Sequence, residues 1–360
     1  MFRSIPLLSA AALPALVALP AQADVSLLTS IKPLQLIAAA VQEGAGSPEV
    51  LLPPGASPHH YALRPSDIRR VREAQLFYWI GEDLETFLPR VLEGRTQPAV
   101  ALQHLPGLHL RHFGEAHAAH AAEQDAHAGH DDHADHDEHA GHKAHDAHQD
   151  HDDHADHADH ADHADHAEHP AKAGEADEDH HDHAHRPGAL DAHLWLLPAN
   201  ARVIAARMAA DLAAADPDNA ARYQANLAAF EARLAALDER LKARLATLRD
   251  KPFFVFHEAY DYFEEAYGLR HTAAFAISSE AQPGARHVAA MRSRLEQAGA
   301  SCVFTEPPQR PRLAETLGAG LDVRFAELDA LGHGLPLKAD AYERLLEGLA
   351  TIMAECLEAL

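Results

Sequence analysis

The chain has 360 residues, 47% of them hydrophobic and 24% charged, with a formal net charge of −25, 31 histidines and 2 cysteines. That length allows two domains, the cysteine count excludes a disulfide scaffold or a Cys-rich zinc module, and the acidic balance excludes a nucleic-acid binder, which carries a basic footprint. The charge is concentrated: residues 112–185 hold 22 of the 31 histidines, 22 Asp or Glu and only Lys143 and Lys172, leaving a body of net charge −5 around one extreme insert.

The first residues have the form of an export signal. Arg3 supplies a positive start, an apolar stretch runs from Ile5 to Leu19, and Ala21-Gln22-Ala23 has the small-x-small form of a cleavage site. Pro6, Pro14 and Pro20 count against a buried helix, whose interior proline breaks. Residues 1–23 are therefore expected to be a signal peptide, with a mature chain that begins at Asp24 in the periplasm. No cysteine follows the cleavage site and no apolar run of about 20 residues interrupts the body, so no direct membrane anchor is expected.

From there strand and helix patterns alternate. Leu27–Ile31 reads as a strand, Pro33–Gln42 as a helix, and Val50–Leu52 as a strand ending at Pro53-Pro54-Gly55. Pro65–Ala74 reads as a helix, Gln75–Ile80 as a strand and Leu84–Leu92 as a helix. After the insert, Ala199–Ala215 is helical. From Asp218 to Leu248 the chain is Ala- and Leu-rich without Gly or Pro. Leu227, Phe230, Leu234, Leu237, Leu241, Leu245 and Leu248 recur at three- and four-residue steps, one buried stripe on one helix. At 1.5 Å per residue it extends roughly 45 Å, the length of a strut across two lobes, with a coiled-coil helix as the alternative. Phe253–His257, His271–Ile277, Ser301–Thr305 and Val323–Leu328 then read as strands, with helices at Ala259–Tyr267, Arg286–Ala298, Arg310–Leu317 and Ala339–Cys356.

Such alternation predicts an α/β fold of two lobes, each a parallel sheet covered by helices. The expected division is signal peptide 1–23, N-terminal lobe 24–111, insert 112–185, N-terminal lobe continued 186–216, linking helix 217–249 and C-terminal lobe 250–360.

Within the insert, fourteen histidines from His130 to His169 recur at a strict three-residue period, much of it as repeated Asp-His-Ala. Almost no large apolar side chain is present to offset the entropy of ordering, so a disordered loop is expected. Alternating imidazole and carboxylate at that density points to several metal ions, each held modestly and lost once the rings protonate near pH ~6.5; a solvated spacer is the plainer alternative.

Nine histidines lie outside the insert: His59, His60, His104, His109, His193, His257, His271, His287 and His333. His59, His60, His193, His257 and the acidic Asp329 fall at predicted strand ends or in the loops after them, in both lobes. Ligands of open α/β sheets sit at such ends. A donor set richer in nitrogen than oxygen leans to zinc over manganese or magnesium. His257-Glu258 does not continue as H-E-x-x-H, and no G-x-S-x-G or P-loop occurs, so no enzyme signature accompanies the site. Glu258 and Glu280 are the candidate general bases for a zinc hydrolase, and read better as surface or supporting residues. In an oxidising compartment Cys302 and Cys356 are candidates for a bridge worth roughly 3–4 kcal/mol, or are two separate buried thiols.

The motifs G-A-S-P-H-H-Y-A-L-R-P-S, F-Y-W-I-G-E-D-L-E, D-A-H-L-W-L, F-V-F-H-E-A-Y-D-Y-F, A-Q-P-G-A, C-V-F-T-E-P and L-D-A-L-G occur in this order. Together they resemble the periplasmic zinc-binding receptors of ABC importers, a family of metal receptors that also serves manganese. An acidic His-rich loop before D-x-H-L-W is itself typical of the zinc members. The resemblance implies two α/β lobes joined by a rigid backbone helix, with the metal in the cleft between them.

It further implies His59, His193 and His257 as ligands, with His60 at a variable position. Manganese members carry Glu where this chain has His257, so the resemblance favours Zn²⁺. Asp329 matches the family's fourth carboxylate. Some zinc members use a Glu just before the first His, where Pro58 stands here, which leaves Asp329, water or His60 for the fourth position. The resemblance also supports the Cys302–Cys356 bridge. It implies a monomeric receptor, not an enzyme, that captures Zn²⁺ and passes it to an ABC permease and its ATPase. A manganese or iron receptor of the same fold, a secreted zinc hydrolase and a zinc buffer are the competing readings.

Overall fold

The computed structural model describes residues 24–114, 188–276, 285–307 and 312–360. The expected signal peptide at residues 1–23, nearly all of the insert and Glu280 lie outside the described residues.

The first lobe is a four-stranded sheet of β1 (Leu27–Thr29), β2 (Glu49–Val50), β3 (Leu76–Trp79) and β4 (Ala99–Ala101), in the order β2-β1-β3-β4, all parallel. The second repeats that plan with β5 (Phe253–His257), β6 (Ala273–Ala276), β7 (Ser301–Thr305) and β8 (Val323–Glu327), in the order β6-β5-β7-β8. In each, the chain runs outward from the first strand and then returns to its other side. The strand order therefore reverses between β1 and β3 and again between β5 and β7, and a crevice opens beyond the carboxyl ends at such a point.

Helices α1 (Lys32–Val41), α2 (Pro65–Glu73) and the short α3 (Pro89–Leu92) belong to the first lobe, followed across the insert by α4 (Pro198–Ala215). The long helix α5 spans Ala220–Leu245; α6 (Asp261–Tyr267), α7 (Ala285–Ala298), α8 (Arg312–Gly318) and α9 (Ala341–Glu358) belong to the second lobe. Proline opens α2, α3 and α4, where its missing N–H costs nothing and its fixed φ suits the first turn.

Beyond shifts of one or two residues at element ends, three elements differ from the sequence reading. The stretch Leu84–Leu92 is helical only from Pro89, because a proline there has no N–H to give to Glu85 and α-helix cannot run through it. Strand β4 carries too little pattern in Ala-Val-Ala to be seen alone. The long helix has 26 residues, about 39 Å, flanked by 3₁₀ turns at Pro217–Asn219 and Ala246–Leu248. The side chain of Asp216 accepts from Asn219 Nδ2 at 2.7 Å and Tyr223 Oη at 2.9 Å, which fixes the entry turn.

On α5 the stripe Phe230, Leu234, Leu237, Leu241, Leu245 is buried, with Tyr223 ahead of it and Leu248 beyond. It packs on α1 and α4 from one lobe and on α9 from the other. One apolar core thus runs from β1 through α5 to α9 across both lobes. A second, smaller core lies on the far face of the second sheet. Strand β5 sends Phe253 and Val255 into the shared core and Phe254 and Phe256 into the smaller one, the period-two signature of a strand covered on both faces. Cys302 on β7 is bonded to Cys356 on α9. Among the described residues no helix is long and apolar enough to cross a membrane.

Candidate metal centre

His59 follows β2 on the loop Leu51–Arg64. Gly55, at φ +79°, turns the chain there, a conformation that glycine adopts freely. Ser57 Oγ accepts the His59 N–H at 3.3 Å. Further on, Asp67 Oδ2 accepts both the Tyr61 hydroxyl and the Arg64 N–H at 3.0 Å, tying the loop to the first turn of α2. His59 is buried and His60, next to it, is exposed.

His193 sits on the turn before α4. Its ring Nδ1 lies 2.8 Å from Asp191 Oδ1, which also accepts the His193 N–H at 3.0 Å. The indole of Trp195 packs edge-on against the imidazole, with 5.3 Å between ring centres, and donates from Nε1 to Ala330 O in the other lobe at 3.0 Å. His257 closes β5, and its Nδ1 lies 3.1 Å from Glu306 Oε1, on the residue after β7. That pair therefore marks the point where the strand order of the second sheet reverses.

The three rings converge. Their centres are 5.5 Å (His59–His193), 5.4 Å (His59–His257) and 5.0 Å (His193–His257) apart, all three are buried, and one nitrogen from each lies within 4.8 Å of the others. Donors bound to one Zn²⁺ at ~2.1 Å stand roughly 3.4 Å apart in a tetrahedral site, so shifts of about an ångström close this set on an ion. With Nδ1 of His193 and His257 each turned to a carboxylate, Nε2 is the donor left for the metal. The carboxylate also fixes the orientation of the ring.

Asp329, two residues beyond β8, stands outside this set. Its carboxylate accepts the N–H groups of Leu331, Gly332 and His333, and His333 Nδ1 at 3.1 Å, so both oxygens hold a turn. Burial alone would raise its pKa, but the bonds from His333 and Gly332 hold it below the ordinary value. The remaining histidines have other partners: His104 pairs with Glu82, His109 with Glu265, His271 with Glu264, and His287 Nε2 lies 2.7 Å from Phe275 O. Asp191 and Glu306 were missed as supports in the sequence. The signal was there, as an acid two residues before one imidazole and another just after the strand beside His257.

Two parallel α/β lobes sharing a core across one long helix, with buried imidazoles meeting between them, define a two-lobed metal-binding receptor. The sequence model of the family described as zinc-uptake complex component A, periplasmic (ZnuA) matches residues 27–356, and the chain belongs to that family. It is 34% identical over 332 residues to the high-affinity zinc uptake system protein ZnuA of Brucella abortus, a match covering 92% of this chain and 91% of that protein. It is 37% identical over 351 residues to the protein of the same name from Haemophilus influenzae, covering 95% and 96%. A crystal structure of ZnuA shares the fold with a TM-score of 0.64 at 20% identity, covering 93% of this chain and 99% of that one.

Proposed function

We propose that this chain is a periplasmic receptor that captures Zn²⁺ between its lobes and delivers it to an ABC permease driven by its own ATPase. The observation that carries this reading is the meeting of three buried imidazoles, from positions far apart in sequence, within 4.8 Å. His59, His193 and His257 are the ligands. Water takes the fourth position, because Asp329 is committed to its turn and His60 faces solvent. Three nitrogen donors select zinc over the harder manganese ion. The names of the relatives, high-affinity zinc uptake system proteins, support the cargo and the direction of transport. The receptor acts as a monomer and performs no chemistry on its ligand. The His-rich insert gathers or buffers zinc beside it, since its repeated Asp-His-Ala supplies many modest ligand sets.

Replacing His193 by Ala leaves two imidazoles. Competition against a chelator of known zinc affinity should show the tight site weakened at least a hundredfold, with the fold retained by circular dichroism. Unchanged tight binding in that variant overturns the assignment. Competition of Mn²⁺ against Zn²⁺ on the wild-type chain separates the manganese reading, which requires Mn²⁺ to win.

A further inference from the structure

A second group of metal-ligating side chains lies outside the three-histidine centre. Glu258, Asp261 and His271 each present one ligand atom, all within 4.8 Å of one another. They come from the turn after β5, the first residue of α6 and the segment before β6. We propose that they form an accessory site for a divalent first-row cation, with Zn²⁺ as its periplasmic occupant.

The donors are set up for an ion. Glu264 holds His271 Nδ1 at 2.9 Å through both carboxylate oxygens and also accepts the His271 N–H, which fixes the ring and leaves Nε2 as the metal-facing nitrogen. This is the carboxylate–histidine pairing that supports metal ligands elsewhere. Asp261 uses Oδ1 toward Arg111 at 3.6 Å, while its Oδ2 is buried and accepts no hydrogen bond. Asp191, only 1% exposed, likewise keeps Oδ2 without a hydrogen bond, within electrostatic reach of Asp261 and Glu258. Arg111 answers part of this charge, and the buried oxygens that accept no hydrogen bond are costly unless a further cation meets them. One imidazole with two carboxylates suits Zn²⁺ and its first-row neighbours.

The position matters as much as the donors. The chain on either side of the insert is fastened to this patch. His109 Nε2 reaches Glu265 at 2.9 Å, Arg111 pairs with Asp261 and Glu265, and Tyr262 Oη accepts the Arg111 N–H while donating to Asp191 O. Glu258 directly follows His257, and Asp191 holds His193. The accessory site thus lies between the roots of the His-rich insert and the central imidazoles. It does not depend on the receptor reading, since its ligands are a separate set.

Crystals of the full chain grown with several equivalents of Zn²⁺ test it through zinc-edge anomalous density. A peak amid Glu258, Asp261 and His271 is expected, absent in His271→Gln crystals that keep the peak amid His59, His193 and His257. In solution, equilibrium dialysis should find about one fewer Zn²⁺ per chain in His271→Gln and in the isosteric Asp261→Asn. No density at the cluster in the wild type, or unchanged stoichiometry in both variants, overturns the proposal. Loss of the central peak alone would count against the receptor site instead.

Discussion

At the scale of single residues, the chain spends its buried acids on holding other groups. Glu306 is one: half-buried, it holds His257 Nδ1 at 3.1 Å. Outer partners of this kind typically hold 10–100-fold of metal affinity. Glu306→Ala is therefore expected to weaken zinc binding in that range, measured by chelator competition, with little change in the unfolding midpoint. Glu85, in the G-E-D-L-E motif, is a fully buried counterpart. It accepts from Ser30 Oγ at 2.5 Å, Ile80 N at 3.3 Å and Gly81 N at 3.0 Å, which joins the ends of β1 and β3. Burial still outweighs these bonds and raises its pKa from 4.5 to about 7. The folded state then keeps a proton that the unfolded chain gives up above pH 4.5. Stability should fall as pH rises from 4.5 to 7 and level off above, a loss on the order of 3 kcal/mol. Glu85→Gln, which carries no charge to bury, should flatten that part of the profile in urea unfolding at pH 5 and pH 8. A parallel decline in both proteins would show that Glu85 is not its source.

Elements were legible in proportion to how much pattern they carry. Phe253–His257 and Ser301–Thr305 are strands with the bounds their apolar runs indicate, since a strand buried on both faces is a continuous hydrophobic run. The α5 stripe was readable for the same reason at helical period. Strand β4 was not, because three small residues are held there by pairing with β3, a long-range contact that local pattern does not encode. Likewise His59, His193 and His257 could be nominated one by one from their motifs, but the 5 Å spacing of their rings is a product of two lobes packing, not of any one segment. The Cys302–Cys356 bond is an element-scale device of this kind. It ties central strand β7 to the last helix α9, which itself rests on α5. Closing a loop of 54 residues is worth about 4 kcal/mol in the chain-entropy picture. The Cys302→Ala, Cys356→Ala double variant should lose stability of that size in chemical denaturation and keep tight zinc binding, because neither sulfur is near the imidazoles' donor set. A drop in zinc affinity on the same scale would place the bond in the metal centre's support.

For the molecule as a whole, the shared core decides how capture and gathering are divided. Because α5 packs on helices of both lobes and one apolar cluster spans them, the body by itself can bring the three histidines together. The insert enters and leaves through a closed stem. Phe113 N donates to Ala189 O at 3.0 Å, Gly188 N returns to Phe113 O at 2.8 Å, and His112 bridges Leu190 in antiparallel fashion. Chain ends held this close can be joined by a short turn at small entropic cost. A protein lacking residues 116–182 should therefore fold and retain one tight Zn²⁺, with its chelator-competition constant within about twofold of the full chain's. Its total zinc at saturation should fall by the several ions assigned to the insert. The ions lost should also be those that the full chain releases as pH drops through ~6.5, where unsupported imidazoles protonate. The central site should hold its ion to lower pH, since three converging imidazoles bind one ion together where those of the insert bind it modestly. Parallel zinc titrations of the two proteins at pH 7.5 and pH 5.5 decide the matter. If the shortened chain binds no zinc tightly at pH 7.5, the insert completes the centre, and the division between body and insert is wrong.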